Sequence, residues 1–158
     1  MSTVGQCVEQ SIGIGQRRPE QRRHYKRAEG IHHFRVDERF RHGAVDAIDD
    51  IDVIVDPGRL SSSLLNIAFN ARDAMSGKGL LSISARHVLA APPDGDLRPM
   101  VAISMRDNGK GMPAEVAARA FEPFFTTKKI GSGTGLGLST VYSFAQQSGG
   151  WASIESTE

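Results

Sequence analysis

DNGKGM (Asp107–Met112), FEPFFTTKK (Phe121–Lys129) and GSGTGLGL (Gly131–Leu138) follow one another in a single glycine-studded segment, and its reading decides the fold. Glycines gather where a backbone must take positive φ or pass close to another group. The last block runs directly into an apolar-periodic stretch, Leu136 to Ser148, whose spacing predicts a helix. A glycine-rich loop feeding a helix N-terminus presents free backbone N–H groups and the positive end of a dipole, which suits phosphate. Taken alone, the same pattern also fits a structural glycine turn.

A second stretch lies upstream, LLNIAFNARDAM (Leu64–Met75). At helical spacing Leu60, Leu64, Ile67, Ala68, Ala71 and Met75 share one stripe, and Asn66, Asn70 and Asp73 share another on roughly the opposite side. Asn and Asp are weak helix formers that compete for the backbone. A plain solvated face is therefore a poor account of the three, and a polar surface turned toward a ligand is a better one.

In this order the four blocks resemble the ATP-binding catalytic domain of sensor histidine kinases, in the superfamily shared with gyrase, MutL and the ninety-kilodalton heat-shock chaperone. Asn66–Met75 is similar to the asparagine box, Asp107-x-Gly109-x-Gly111 to the first glycine box, Phe121–Lys129 to the phenylalanine box, and Gly133–Leu138 to the second glycine box. The resemblance covers roughly residues 52–156. It implies a Bergerat-type ATP-binding fold, a two-layer α/β sandwich with a mixed sheet of about four or five strands and helices on one face.

The resemblance also assigns roles. Asp107 would read the adenine amino group, with Gly109 and Gly111 passing beneath the ring; a turn-capping Asp before Asn-Gly is the bland alternative. Asn70 matches the residue that holds Mg²⁺, a fit for an ion that keeps several waters and takes its other oxygens from the triphosphate. Asn66 stands where the gyrase-like branch has the Glu that activates water, and an amide cannot take that proton. Asp73 departs from the Lys found there in many sensor kinases, leaving Lys128, Lys129 or Arg72 to neutralise phosphate. The backbone of Gly133, Thr134, Gly135, Leu136 and Gly137 would hold the phosphates, and residues 112–132 would form a lid. Phe121, Phe124 and Phe125 are either core or a docking surface.

The implied function is that of a kinase domain binding ATP and Mg²⁺ and transferring the γ-phosphoryl group to a His on an acceptor helix, in cis or in trans, and onward to a receiver domain or response regulator. The alternatives are a nucleotide-binding regulatory module without kinase activity and an anti-sigma-type serine kinase. A third, an ATP-gated dimerisation ATPase, is disfavoured by Asn66. No phosphoacceptor is identifiable in this chain, because none of His24, His32, His33, His42 and His87 has an acidic neighbour.

Bulk properties exclude several other classes. With 158 residues and a net charge of +1 there is room for one core and no global drive toward nucleic acid or membrane. The single Cys7 allows no internal disulfide, and no apolar run approaches the ~20 residues of a membrane span. A cytoplasmic protein is expected. Residues 1–50 read as a poorly defined segment, a linker or a remnant of the acceptor or first-strand region, ahead of a catalytic domain over 51–158 that either has or lacks its last strand. The basic run Arg17–Arg27 reads as solvated, and His32-His33 lacks further ligands for a metal.

The remaining expectations are local. Ile51–Val55 reads as a short strand, Asp56-Pro57 as a helix start, and Ser76–Gly79 as its stop. Leu81, Ile83 and Ala85 should face inward on one strand and Val101, Ile103 and Met105 on the next, joined by the irregular loop 90–99. A short helix is expected from Pro113 to Phe121. Leu138, Val141, Tyr142 and Ala145 should pack from the helix after the glycine box, before a strand from Trp151.

Overall fold

The computed structural model describes residues 7–15, 53, 55–92, 95–129 and 133–157. The elements in chain order are β1 (Cys7–Gly15), α1 (Pro57–Ala74), β2 (Leu81–Ala90), β3 (Arg98–Asp107), α2 (Ala114–Arg119), α3 (Gly137–Gln147) and β4 (Trp151–Thr157). The strands form one sheet in the order β2-β3-β1-β4.

Helix α1 begins as its sequence dictates. Asp56 caps it, its carboxylate accepting from the Arg59 N–H at 3.0 Å, and Pro57 fills the first turn where no N–H is missed. Such a cap contributes about 1 kcal/mol. The helix closes with Ser76 and Gly77, both at positive φ, and the Gly77 N–H returns to the Arg72 carbonyl. The inward stripe of α1 (Leu60, Ile67 and Ala71) is buried together with Ile12, Ile14, Met105, Val141, Phe144 and Ala145. This is a two-layer α/β core, with α1 and α3 laid over the sheet.

The sheet differs from expectation in two ways. Every described strand pair is antiparallel, where a mixed sheet was expected. The strand expected at Ile51–Val55 falls largely outside the described residues; Val53 and Val55, which are described, pack against the core outside any strand. The second difference is β1, an interior strand drawn from the segment read as a linker or as a remnant of the acceptor or first-strand region, so the sheet takes in residues ahead of the expected 51–158 domain. Its signal was weak because Gly13 and Gly15 are poor strand formers and Gln10 interrupts the apolar alternation. The basic run, His32-His33 and every histidine except His87 lie outside the described residues.

Register fixes which side chains reach the helices. Val8 stands opposite Asp107, Gln10 opposite Met105, Ile12 opposite Ile103 and Ile14 opposite Val101. Alternation then puts Val8, Gln10, Ile12 and Ile14 on one face with Met105 and Asp107. Smaller corrections follow from position. β2 is an edge strand, and Ile83 is exposed rather than buried. Arg98 and Pro99, expected in a loop, begin β3, and Pro99 falls at the strand's start where its missing N–H is tolerated. On α3 it is Phe144 that enters the core; Tyr142 is exposed and meets Phe121 at a ring separation of 5.5 Å. Helix α2 stops at Arg119, short of Phe121.

Candidate functional site

A cleft of about 630 Å³ opens between α1, the end of β3, α2, the 125–129 loop and the start of α3. Among the residues singled out from sequence, Asn66, Asn70, Asp73, Asp107, Gly111, Lys128, Gly133, Thr134, Gly135 and Gly137 line it. Gly109 and Leu136 do not. Gly109 instead packs against α1, where a Cβ would lie 2.8 Å from Ala74. Leu136 is exposed, its N–H bonded to the Thr134 hydroxyl at 3.3 Å and its carbonyl accepting from Thr140.

Asp107 arrives at the cleft because it ends the inward row of β3. It is 3 % exposed, and its Oδ1 accepts from the Gly109 N–H at 2.9 Å. Burial pushes its carboxyl above the ordinary value, and the Gly109 bond opposes that rise. A buried carboxylate with spare lone pairs is a strong acceptor for an amino group.

On α1, spacing of about one turn brings Asn66, Asn70 and Asp73 to the rim together. The Asn66 amide donates to the Gly137 carbonyl at 3.2 Å, tying α1 to the first residue of α3. Lys128 reaches across from the loop, its ammonium donating to Asp73 Oδ2 at 2.6 Å and to Asn70 Oδ1 at 3.2 Å. Arg72 holds the other Asp73 oxygen at 2.9 Å. The Lys128 ammonium first, then the Arg72 guanidinium, hold the Asp73 carboxyl below its ordinary value. Both partners of the Lys128–Asp73 pair are about a third exposed, so the pair contributes under about 1 kcal/mol.

Helix α3 starts without a side-chain cap and without an acid in its first turn. Its first amides and its dipole are thus left for an anion at the cleft. The approach is shaped by Gly135, at φ +66, where a Cβ would stand 2.6 Å from the Phe124 carbonyl oxygen. Phe124 is itself at φ 66 and its N–H bonds the Gly135 carbonyl at 2.9 Å, so the two loops interlock backbone to backbone. Phe125 lies under the Arg119 guanidinium, 4.3 Å from ring centre to charge, while Phe124 points to solvent.

Sequence reasoning missed the part of the wall contributed by Val8 and Gln10 of β1, while Met112, Val116 and Ala120 around α2 fall within the segment expected to form the lid. No short motif marks Val8 or Gln10; only the sheet register brings β1 alongside Asp107. Among the described residues no group of three or more His, Cys, Asp or Glu is arranged to hold a metal ion. No described helix is long and apolar enough to cross a membrane.

Comparison with known proteins agrees with this geometry. The family described as histidine kinase-, DNA gyrase B- and HSP90-like ATPase matches residues 55–158. The chain is 41 % identical over 113 residues to the sensor kinase CckA of Brucella abortus, covering 66 % of this chain and 12 % of that protein. It is 37 % identical over 120 residues to the sensor histidine kinase ZraS of Escherichia coli, covering 76 % and 23 % respectively. Against the sensory histidine kinase/phosphatase NtrB of Rhodobacter capsulatus the identity is 33 % over 105 residues, covering 64 % and 29 %. The chain thus spans less than a third of the length of each of these relatives.

Proposed function

The chain belongs to the histidine kinase-, DNA gyrase B- and HSP90-like ATPase family, and from that membership we propose that it is the ATP-binding catalytic part of a sensor histidine kinase. It holds ATP so that the terminal phosphoryl group passes in line to a histidine on an acceptor helix supplied in cis or in trans. A receiver domain or response regulator is the onward partner, and the setting is cytoplasmic.

One observation carries this reading. Among the described residues the carboxylates lining the cleft are Asp73 and Asp107, and neither is free to activate water. Asp73 is held by Lys128 and Arg72, and Asp107 is buried against the Gly109 amide. Asn66, in between, cannot accept a proton. A site that offers a helix N-terminus and a lysine to phosphate, with no free base among the described residues, suits transfer to an external nucleophile, where positioning and charge stabilisation supply most of the catalysis.

In this reading Asp107 takes the adenine amino group, and the amides from Gly133 to Gly137 face the phosphates with Lys128 beside them. Asn70 Oδ1 and Asp73 Oδ2 already converge on one cation, the Lys128 ammonium. Oxygens so arranged fit a magnesium ion that takes its remaining ligands from phosphate and water. Asn70 would hold that ion, which when bound neutralises phosphate charge.

Radiolabelled ATP tests the assignment. The chain alone should neither label itself nor turn over ATP. Adding an acceptor-helix dimer in trans should give label stable to base and labile to acid, which a receiver domain then removes. Steady turnover by the chain alone, or label on a serine-bearing partner instead, overturns the reading.

A further inference from the structure

Gln10 is the one inward-facing residue of β1 that is not apolar. Its companions on that face, Val8, Ile12 and Ile14, are all buried, and Gln10 itself is 4 % exposed. Its Oε1 has no hydrogen-bond partner. An unpartnered buried amide destabilises a fold, and Leu or Ile in its place would pack without that penalty. Ser63 of α1 carries the other such orphan atom among the described residues, but Ser63 does not line the cleft and Gln10 does.

Position says what Gln10 is facing. Opposite Met105 in the register, it stands diagonally across from Asp107, which pairs with Val8. Diagonal neighbours on one sheet face are close enough for long side chains to address the same group. Val8, Gln10 and Asp107 all line the cleft. The strand that brings Gln10 there lies outside residues 55–158, the part matched by the family.

We propose that Gln10 is a second base-reading residue, whose Oε1 accepts a hydrogen bond from the exocyclic amino group of adenine alongside Asp107. This rests on the cleft being a nucleotide site. An amino group offers two N–H bonds, and the ionised Asp107 and the orphan Oε1 are two acceptors on one wall. A purine with a carbonyl at that position would meet acceptors with an acceptor. Gln10 alone would adapt by turning its amide nitrogen inward, but Asp107, an acceptor only when ionised, removes that escape. The pair therefore selects adenine over guanine and hypoxanthine by leaving buried polar groups unpaired when the wrong base enters.

The test uses the full chain, with Gln10→Leu and the less disruptive Gln10→Met, and measures binding by calorimetry for ADP, IDP and purine riboside diphosphate, which lacks the amino group. Both variants should lose about tenfold in ADP affinity, the effect of one buried hydrogen bond. Their affinity for purine riboside diphosphate should stay within about twofold of wild type, and their melting temperature should hold or rise because an unpartnered buried oxygen is gone. ADP binding unchanged in both variants overturns the proposal, as does an equal loss for ADP and purine riboside diphosphate, which would make Gln10 a packing residue. A wild-type chain that binds none of the three overturns the nucleotide reading itself, a result separable from either of the others.

Discussion

Replacing Asp107 by Asn separates two effects that the wild-type carboxylate combines. The side chain is 3 % exposed and its Oδ1 takes the Gly109 N–H at 2.9 Å, a bond that an amide oxygen can also accept. Asn therefore keeps the local turn while removing a charge that burial disfavours. Burial lifts the folded-state pKa above the ordinary 3.8. An acid with a raised folded pKa contributes stability below its unfolded pKa and loses that contribution as pH climbs through the folded one. At neutral pH the wild type is thus carrying a cost that Asp107→Asn relieves, and the variant should be at least as stable as the parent in a urea titration. Binding should move the other way. Losing a charge-assisted hydrogen bond to the base removes about 1.5–3 kcal/mol, or about ten- to a hundredfold in affinity for ADP by calorimetry. Wild-type affinity should also fall on acidification through a midpoint above 3.8, since protonated Asp107 no longer presents two acceptor oxygens, and the variant should lack that component. Unchanged ADP affinity in Asp107→Asn would remove this residue from the site.

Two further substitutions address the loops. Gly135→Val puts a β-branched side chain at φ +66 and a Cβ 2.6 Å from the Phe124 carbonyl oxygen, so ADP affinity should drop at least about tenfold through loop strain and lost approach while far-UV circular dichroism stays native; wild-type affinity would reduce the glycine box to a turn. Asp73→Asn unpins Lys128, and hydrogen exchange at residues 126–129 of the free chain should quicken by about two- to fivefold, in line with a partly exposed ion pair. Because Lys128 and Arg72 hold the Asp73 carboxyl low, that pair persists above the ordinary 3.8 and fails only as pH falls through the depressed value. Exchange at those amides that does not respond to the substitution would mean the pair restrains nothing.

How much of the site was legible depended on how far apart its parts lie in sequence. Asn66, Asn70 and Asp73 are one helical turn or less apart, so their shared face follows from the 3.6 period alone. Asp107 follows from a strand running into Asn-Gly, and the glycine loop from its composition and the helix after it. What failed was long-range. The Lys128–Asp73 pair joins residues 55 apart and depends on where the loop lands. β1 pairs with β3 across some ninety positions, as the Ser11–Ser104 hydroxyl contact illustrates at 2.8 Å, and no local pattern encodes that partner. Tyr142 and Phe144 were exchanged for a related reason. Both are compatible with an inward stripe on α3, and the sheet beneath admits only Phe144.

The interior place of β1 also ties stability to recognition. Ile12 and Ile14 belong to the main core, so β1 cannot leave without dismantling it. Gln10 and Val8, two and four residues before Ile12, belong to the wall of the cleft. A sheet-only role would be served best by an apolar residue at position 10, and the amide found there is a local conflict of the kind that functional sites retain at a cost in stability. Occupancy of the cleft by a donor should recover that cost. Ligand bound to the folded chain alone stabilises it in proportion to RT ln(1 + [L]/Kd). Part of that gain would come from satisfying Oε1, so ADP should raise the melting temperature of the wild type by more than it raises that of Gln10→Leu.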